Sequence, residues 1–333
     1  MNTREPPLLS VIMVTPDHYD TLRTTIGYLR AQTIHNLLEV VIVAPSVERL
    51  SLDESELAPF HSFQVVEVVP FGSAALARAE GIRAAKAPLV ALTEDHCYPE
   101  PEWAAALVKA HEGPWAAVGP VIGNANPASM TSWANLLVEY GPWLDPMQAG
   151  EVDHLPGHNS SYKREMLLQY GPTLEVMLEA ESTLHWDLRD KGARLYLEPA
   201  AKARHLSYSR ASFWLQLRFH AGRVFAAARA RSWPARHRIL YVLGGPLIPW
   251  VRLWRIVREL RRPGRPRHLL PGILPSLIAG LLIDGLGEML GYASGAGDSL
   301  DKVTDAEFDR ARYLTEEDVW RITGRPSRQR GKR

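Results

Sequence analysis

The sequence has almost no cysteine. Cys97 is the single one in 333 residues, so an internal disulfide framework is excluded and a reducing, cytoplasmic setting is expected. Long apolar runs are missing from the C-terminal third. Its two uncharged apolar stretches, residues 239–251 and 269–283, are 13 and 15 residues long and broken by prolines, whereas a spanning helix needs about 20. No long apolar stretch precedes Ser10, so a secretory signal is not expected. There is no internal repeat, which excludes a solenoid or propeller. Acid is nearly absent from residues 202–268, where 16 Lys/Arg face one Asp/Glu, while residues 1–201 hold 13 Lys/Arg and 26 Asp/Glu. The net charge of +1 hides an acidic domain joined to a basic segment, and that segment can face an anionic partner.

What is present is regular apolar patterning. Residues 8–15 (LLSVIMVT) form a near-continuous apolar run of strand length, the pattern of a strand buried on both faces. Further strands are expected at 39–44, 64–69, 89–92, 115–123 and 194–198. Helices are expected at 20–33, 74–85, 103–112 and 181–191, the last closed by Gly192. Strands alternating with helices predict an α/β, mostly parallel sheet flanked by helices. Residues 124–156, with four prolines, read as a long loop with one short helix near 132–139, and loops of that length tend to be functional. After the fourth strand comes Thr93-Glu94-Asp95-His96-Cys97, where α/β folds place ligands. Glu94 and His96, two apart in a turn, can reach one divalent cation. A carboxylate and an imidazole with open positions suit a Mn²⁺- or Mg²⁺-type ion holding a phosphate. The plainer alternative is a solvated loop followed by a helix cap.

Four segments, in order over residues 8–210, resemble family 2 glycosyltransferases of the GT-A type. Residues 11–33 (VIMVTPDHYDTLRTTIGYLRAQT) look like that family's opening nucleotide-binding strand and helix. Residues 75–103 (ALARAEGIRAAKAPLVALTEDHCYPEPEW) resemble its Ala-Arg-Asn-x-Gly helix and Asp-x-Asp turn. Residues 156–167 (PGHNSSYKREML) are similar to its Gly-x-Asn segment, and residues 181–205 (ESTLHWDLRDKGARLYLEPAAKARH) to its acidic acceptor-side helix, Gly turn and closing His. The resemblance implies a Rossmann-like GT-A catalytic domain over residues 1–210 that moves a sugar from a nucleotide-sugar to a hydroxyl by one inverting displacement. It implies Glu94, His96 and His205 as ligands of a divalent cation (Mn²⁺ or Mg²⁺). Thr15, Asp17, Arg78, Glu94 and Asp95 would contact the donor, His158 and Asn159 the acceptor, and Glu181 would be the general base. The chain departs from the pattern in three places. Its metal motif is Glu-Asp-His, Ala44-Pro45 stand where an Asp often reads the nucleobase, and Ala180-Glu181 replaces a Glu-Asp pair. These departures motivate an alternative, a catalytically impaired scaffold of the same fold. A nucleotidyltransferase would want a Gly-rich loop after the first strand, and Thr15-Pro16-Asp17-His18 is not one.

Residues 211–300 mix Arg with Trp and aliphatics, as do helices at a membrane interface, and their basic charge suits anionic headgroups on the cytoplasmic face. A peripheral, re-entrant or spanning arrangement is compatible with this, as is a soluble helical subdomain or a dimer. The acceptor is then expected to be a glycan or lipid-linked. Nucleic acid is not expected, because the two proline-broken apolar stretches interrupt the basic charge. Residues 301–333 read as a polar tail, disordered after Gly324.

Overall fold

The computed structural model describes residues 5–15, 19–179 and 181–323. Asp17 and the basic tail after Gly324 lie outside the described residues. In chain order the main elements are β1 (Leu9–Val14), α1 (Tyr19–Arg30), β2 (Leu38–Ala44), β3 (Ser62–Glu67), α2 (Ala74–Ala84), β4 (Leu89–Leu92), β5 (Cys97–Pro99) and α3 (Trp103–Ala110). Then come β6 (Ala117–Asn124), α4 (Met130–Tyr140), β7 (Gly150–Val152), β8 (Ser161–Lys163), α5 (Glu181–Asp190) and β9 (Leu195–His205). The helices α6 (Ala211–Arg229), α7 (Ala235–Gly244), α8 (Ile248–Leu260), α9 (Leu270–Ser294), α10 (Ser299–Phe308) and α11 (Glu316–Thr323) complete the chain. It divides into two compact units, one of residues 1–123 with 143–205, the other of residues 124–142 with 206–333.

The first unit is an α/β sheet. The central strand β1 is buried from Leu9 to Met13, as its two-sided apolar run predicts. β1 pairs in parallel with β2 and β4, and β2 with β3. Beyond β4 the recorded pairs β4–β8, β6–β8, β5–β9 and β7–β9 are antiparallel. Parallel neighbours need a long crossover, usually a helix. The first four strands have such room, but only the turn 93–96 separates β4 from β5. Gly81 lets α2 lie down on the sheet: a Cβ there would stand 2.6 Å from the Ile12 and 2.9 Å from the Val43 methyl group.

The second unit is helical. The sequence suggests that polarity at Asp284 and Glu288 stops the second apolar run, yet α9 passes through both. Each carboxylate is buried and paired. Arg218 and Arg252 both bond Asp284, and Arg252 reaches Glu288 at 3.1 Å. Arg218 also holds Glu139 of α4 at 3.1 Å. α6 and α9 meet backbone to backbone. A Cβ on Gly222 would lie 2.2 Å from Asp284 O, and one on Gly287 2.0 Å from Phe219 O. Among the described residues, one segment, Arg267–Ser294, is long and apolar enough to cross a membrane.

Candidate metal and donor site

The site forms where β4 ends. Pairing with β1 closes at Ile12↔Leu92, Thr93 N–H still donates to Ile12 O at 3.2 Å, and a turn follows in which Cys97 N–H donates to Glu94 O at 3.1 Å. The turn buries Glu94 and His96. β9 runs antiparallel to β5 and sets His205 opposite Cys97, so the last residue of that long strand meets the same turn. One donor atom from each of Glu94, His96 and His205 lies within 4.8 Å of the other two. Glu94 Oε2 is 3.5 Å from His96 Nε2 and 3.5 Å from His205 Nε2. The two imidazoles stand 5.0 Å apart at 75°.

These residues fit a divalent cation by donor chemistry and by support from behind. Two donors about 2.1 Å from a common ion lie about 3.0 Å from each other at an octahedral angle and about 3.4 Å at a tetrahedral one, so the 3.5 Å spacings suit a common ion with a small adjustment. His96 Nδ1 is 2.6 Å from Asp95 Oδ1. A carboxylate oxygen accepts, so Nδ1 carries a proton here and Nε2 is the nitrogen that faces Glu94. Thr25 Oγ1 donates to Asp95 O at 2.7 Å and steadies the turn. Asn159 Nδ2 donates to Glu94 Oε2 at 2.7 Å, and Asn159 Oδ1 accepts from Glu94 N–H at 3.3 Å. The result is one carboxylate and one imidazole held by a second layer of hydrogen bonds, with the second imidazole, His205, brought to them by β9. Three protein ligands leave positions for oxygen ligands.

The other expected residues are placed as follows. Thr15 follows β1 and is buried; its Oγ1 lies 3.0 Å from Thr21 Oγ1, and its N–H donates to Val43 O at 2.9 Å. Arg78 is buried on α2. The Asp95 carboxylate faces His96. His158 is half-buried on a short 3₁₀ turn, Gly157–Asn159, and β8 follows it. Glu181 is the first residue of α5; its side chain lies outside what is described.

Two contributors escape the sequence reading. The buried His185 has Nε2 3.0 Å from Tyr162 Oη, which donates to Gly157 O at 3.5 Å, tying α5 to the turn that carries Asn159. Its i+4 spacing from Glu181 is the available signal. Thr25, on a helix far away in sequence, offers none.

Residues 10–171 match the model "Glycosyl transferase family 2". No curated protein sequence matches. Among solved structures the chain is similar to GalNAc-T7 crystallised with UDP, GalNAc and Mn²⁺, at 16% identity, covering 61% of this chain and 44% of that one with a TM-score of 0.44. The chain thus spans less than half the length of that structure. It is similar to S. aureus TarS 1-349 (15% identity, 90% of each chain, TM-score 0.45). It is also similar to the mannosyltransferase PcManGT from Pyrobaculum calidifontis in complex with GDP-Man and Mn²⁺ (17% identity, 96% of this chain and 86% of that one, TM-score 0.46). What the chain shares with a known family is thus the match of residues 10–171 to the glycosyl transferase family 2 model.

Proposed function

We propose that the protein transfers a sugar from a nucleotide-sugar to a hydroxyl of a glycan or lipid-linked acceptor, by a single displacement that inverts the anomeric centre. The observation that carries this reading is the buried Glu94–His96–His205 cluster, two of whose members, Glu94 and His96, lie within the residues 10–171 that match the family 2 model. A divalent cation, Mn²⁺ or Mg²⁺, when held there supplies positive charge against the diphosphate leaving group. Asp95 and Asn159 keep the ligands aimed. Thr15, Asp17, Arg78 and Asp95 would contact the rest of the donor, and His158 and Asn159 would line the acceptor side.

Glu181 accepts the acceptor's proton in this reading. The hydroxyl loses that proton as it attacks, and a carboxylate on the far side of the sugar is the group that can take it. The His185–Tyr162 link between α5 and the Gly157–Asn159 turn supports the assignment. The basic, apolar composition of residues 211–300 supports a working place at the cytoplasmic face of the membrane.

Replacing Glu181 by Gln keeps size and removes the base. Donor-consumption kinetics are expected to show kcat falling about 10²–10⁴-fold with donor affinity unchanged. Full turnover in Glu181→Gln would remove Glu181 from the mechanism.

A further inference from the structure

We propose that α7 and α8, joined by the 3₁₀ turn Gly245–Leu247, form a membrane wedge. The apolar tip of this helical hairpin enters an anionic lipid surface and its arginine-rich ends rest on the headgroups. The inference deepens the membrane reading above and stands independently of the catalytic assignment.

Leu243, Leu247, Trp250 and Trp254 are 75%, 67%, 53% and 60% exposed, and Leu240 and Val251 are exposed beside them. Soluble monomers rarely leave such large apolar groups together in water. The spacing is ordered. Arg236, Leu240 and Leu243 follow one face of α7, and Leu247 continues it. Trp250, Trp254 and Arg258 follow one face of α8 at intervals of four. Each outer row is therefore apolar near the turn and basic away from it. The opposite side of α8 is closed, because Pro249, Ile256 and Leu260 are buried and Gly285 of α9 fits against Pro249. The occupant follows from charge. Residues 231–268 carry ten arginines and one acid; Arg252 is taken up by Asp284 and Glu288 and Arg265 is buried, but seven of the ten are exposed, a complement for anionic headgroups. The Arg258 guanidinium lies 4.9 Å from the Trp254 ring centre, so a cation and an interface-seeking aromatic share one patch.

The hairpin, not α9, is the lipid-contacting element. α6 lies against α9 at backbone distance at Gly287 and Gly291, and α6 carries Gln216, Arg218, His220 and Arg223. A bilayer around α9 would have to take in these polar side chains as well, at high cost. α9 is the core helix of its unit, and the wedge docks without spanning.

The test is flotation of the full chain with phosphatidylcholine vesicles and with vesicles of phosphatidylcholine and phosphatidylglycerol, at low and high salt. The wedge predicts binding to the anionic vesicles, weakening with salt, and release by alkaline carbonate. Trp250→Ser with Trp254→Ser is expected to lower the bound fraction about tenfold. Leu243→Ser on the other helix is expected to act in the same direction. Arg255→Gln with Arg258→Gln is expected to mimic high salt. Variants count when they melt at the parent temperature, as exposed positions should. Carbonate-resistant binding would overturn the wedge while keeping the membrane reading. No binding to either vesicle, with a dimer dissolved by Trp250→Asp, would overturn both and make a second copy of the chain the occupant.

Discussion

At the scale of single residues, Asp95 and Asn159 matter as much as the ligands they hold. The Asp95–His96 contact of 2.6 Å fixes which imidazole nitrogen faces Glu94 and so which one is offered to the proposed cation. Asp95→Asn can offer Nδ2–H where an acceptor is needed, which frees the ring to turn. Loss of such an orienting partner costs about 10–100-fold in metal affinity, and calorimetry with Mn²⁺ alone is expected to show it; unchanged affinity would deny Asp95 that role. His111 provides a separate residue-scale prediction. Burial, helped by Lys163, lowers its pKa from the usual 6.5 to about 4. Its Nε2 lies 2.9 Å from Ser161 Oγ, which itself donates to Val118 O at 3.0 Å, so Nε2 carries the proton of a neutral ring. The unfolded chain takes up a proton near pH 6.5 and the folded chain does not until about pH 4. The stability that neutral His111 contributes is therefore complete above pH 6.5 and falls away toward pH 4, by roughly 3 kcal/mol. His111→Gln is expected to flatten that acid limb in melts taken across the interval; an unaltered pH profile would refute the assignment.

At the scale of elements, glycines decide how closely helices approach. Ala is the better helix former by about 0.8–1.0 kcal/mol, so Gly287→Ala would stabilise an isolated α9. In the protein its Cβ would stand 2.0 Å from Phe219 O, a backbone atom that cannot step aside alone. Overpacking of this kind costs about 1–3 kcal/mol, enough to outweigh the propensity gain. A lowered melting temperature for Gly287→Ala is expected, and a raised one would contradict the close α6–α9 contact. Much at this scale is legible in the sequence, for stated reasons. The two-sided apolar run of β1 requires burial, and Gly192 after α5 adopts φ 84° and closes a helix-ending motif with Ala193 N–H on Leu188 O at 2.9 Å. Two extents are less legible. A strand expected at residues 194–198 continues to His205 because Ala201, Ala203 and His205 alternate inward while Lys202 and Arg204 point less deeply. α9 outruns its apolar segment because the partners of Asp284 and Glu288 come from distant helices, which no local pattern reveals.

At the scale of the whole molecule, charge follows the fold. The sheet unit holds 15 Lys/Arg and 25 Asp/Glu, and the helical unit 23 and 12. On the proposed function, an acidic unit would need a cation to receive an anionic diphosphate, and Glu94, His96 and His205 are the residues proposed to hold it. The clustering of Glu94, His96 and His205 is legible because their order and types resemble a known family. The clamp by Asn159 and the support from Thr25 are not, since each depends on a contact across the fold. The most direct test of the account is calorimetric titration of the full chain with Mn²⁺ alone, then with UDP-, GDP-, dTDP- and CMP-sugars with and without Mn²⁺, beside Glu94→Ala. The account predicts one Mn²⁺ site, one donor that binds only with Mn²⁺, and loss of both in the variant. Folded protein that binds neither Mn²⁺ nor any donor, or donor binding unaltered by Glu94→Ala, would contradict it.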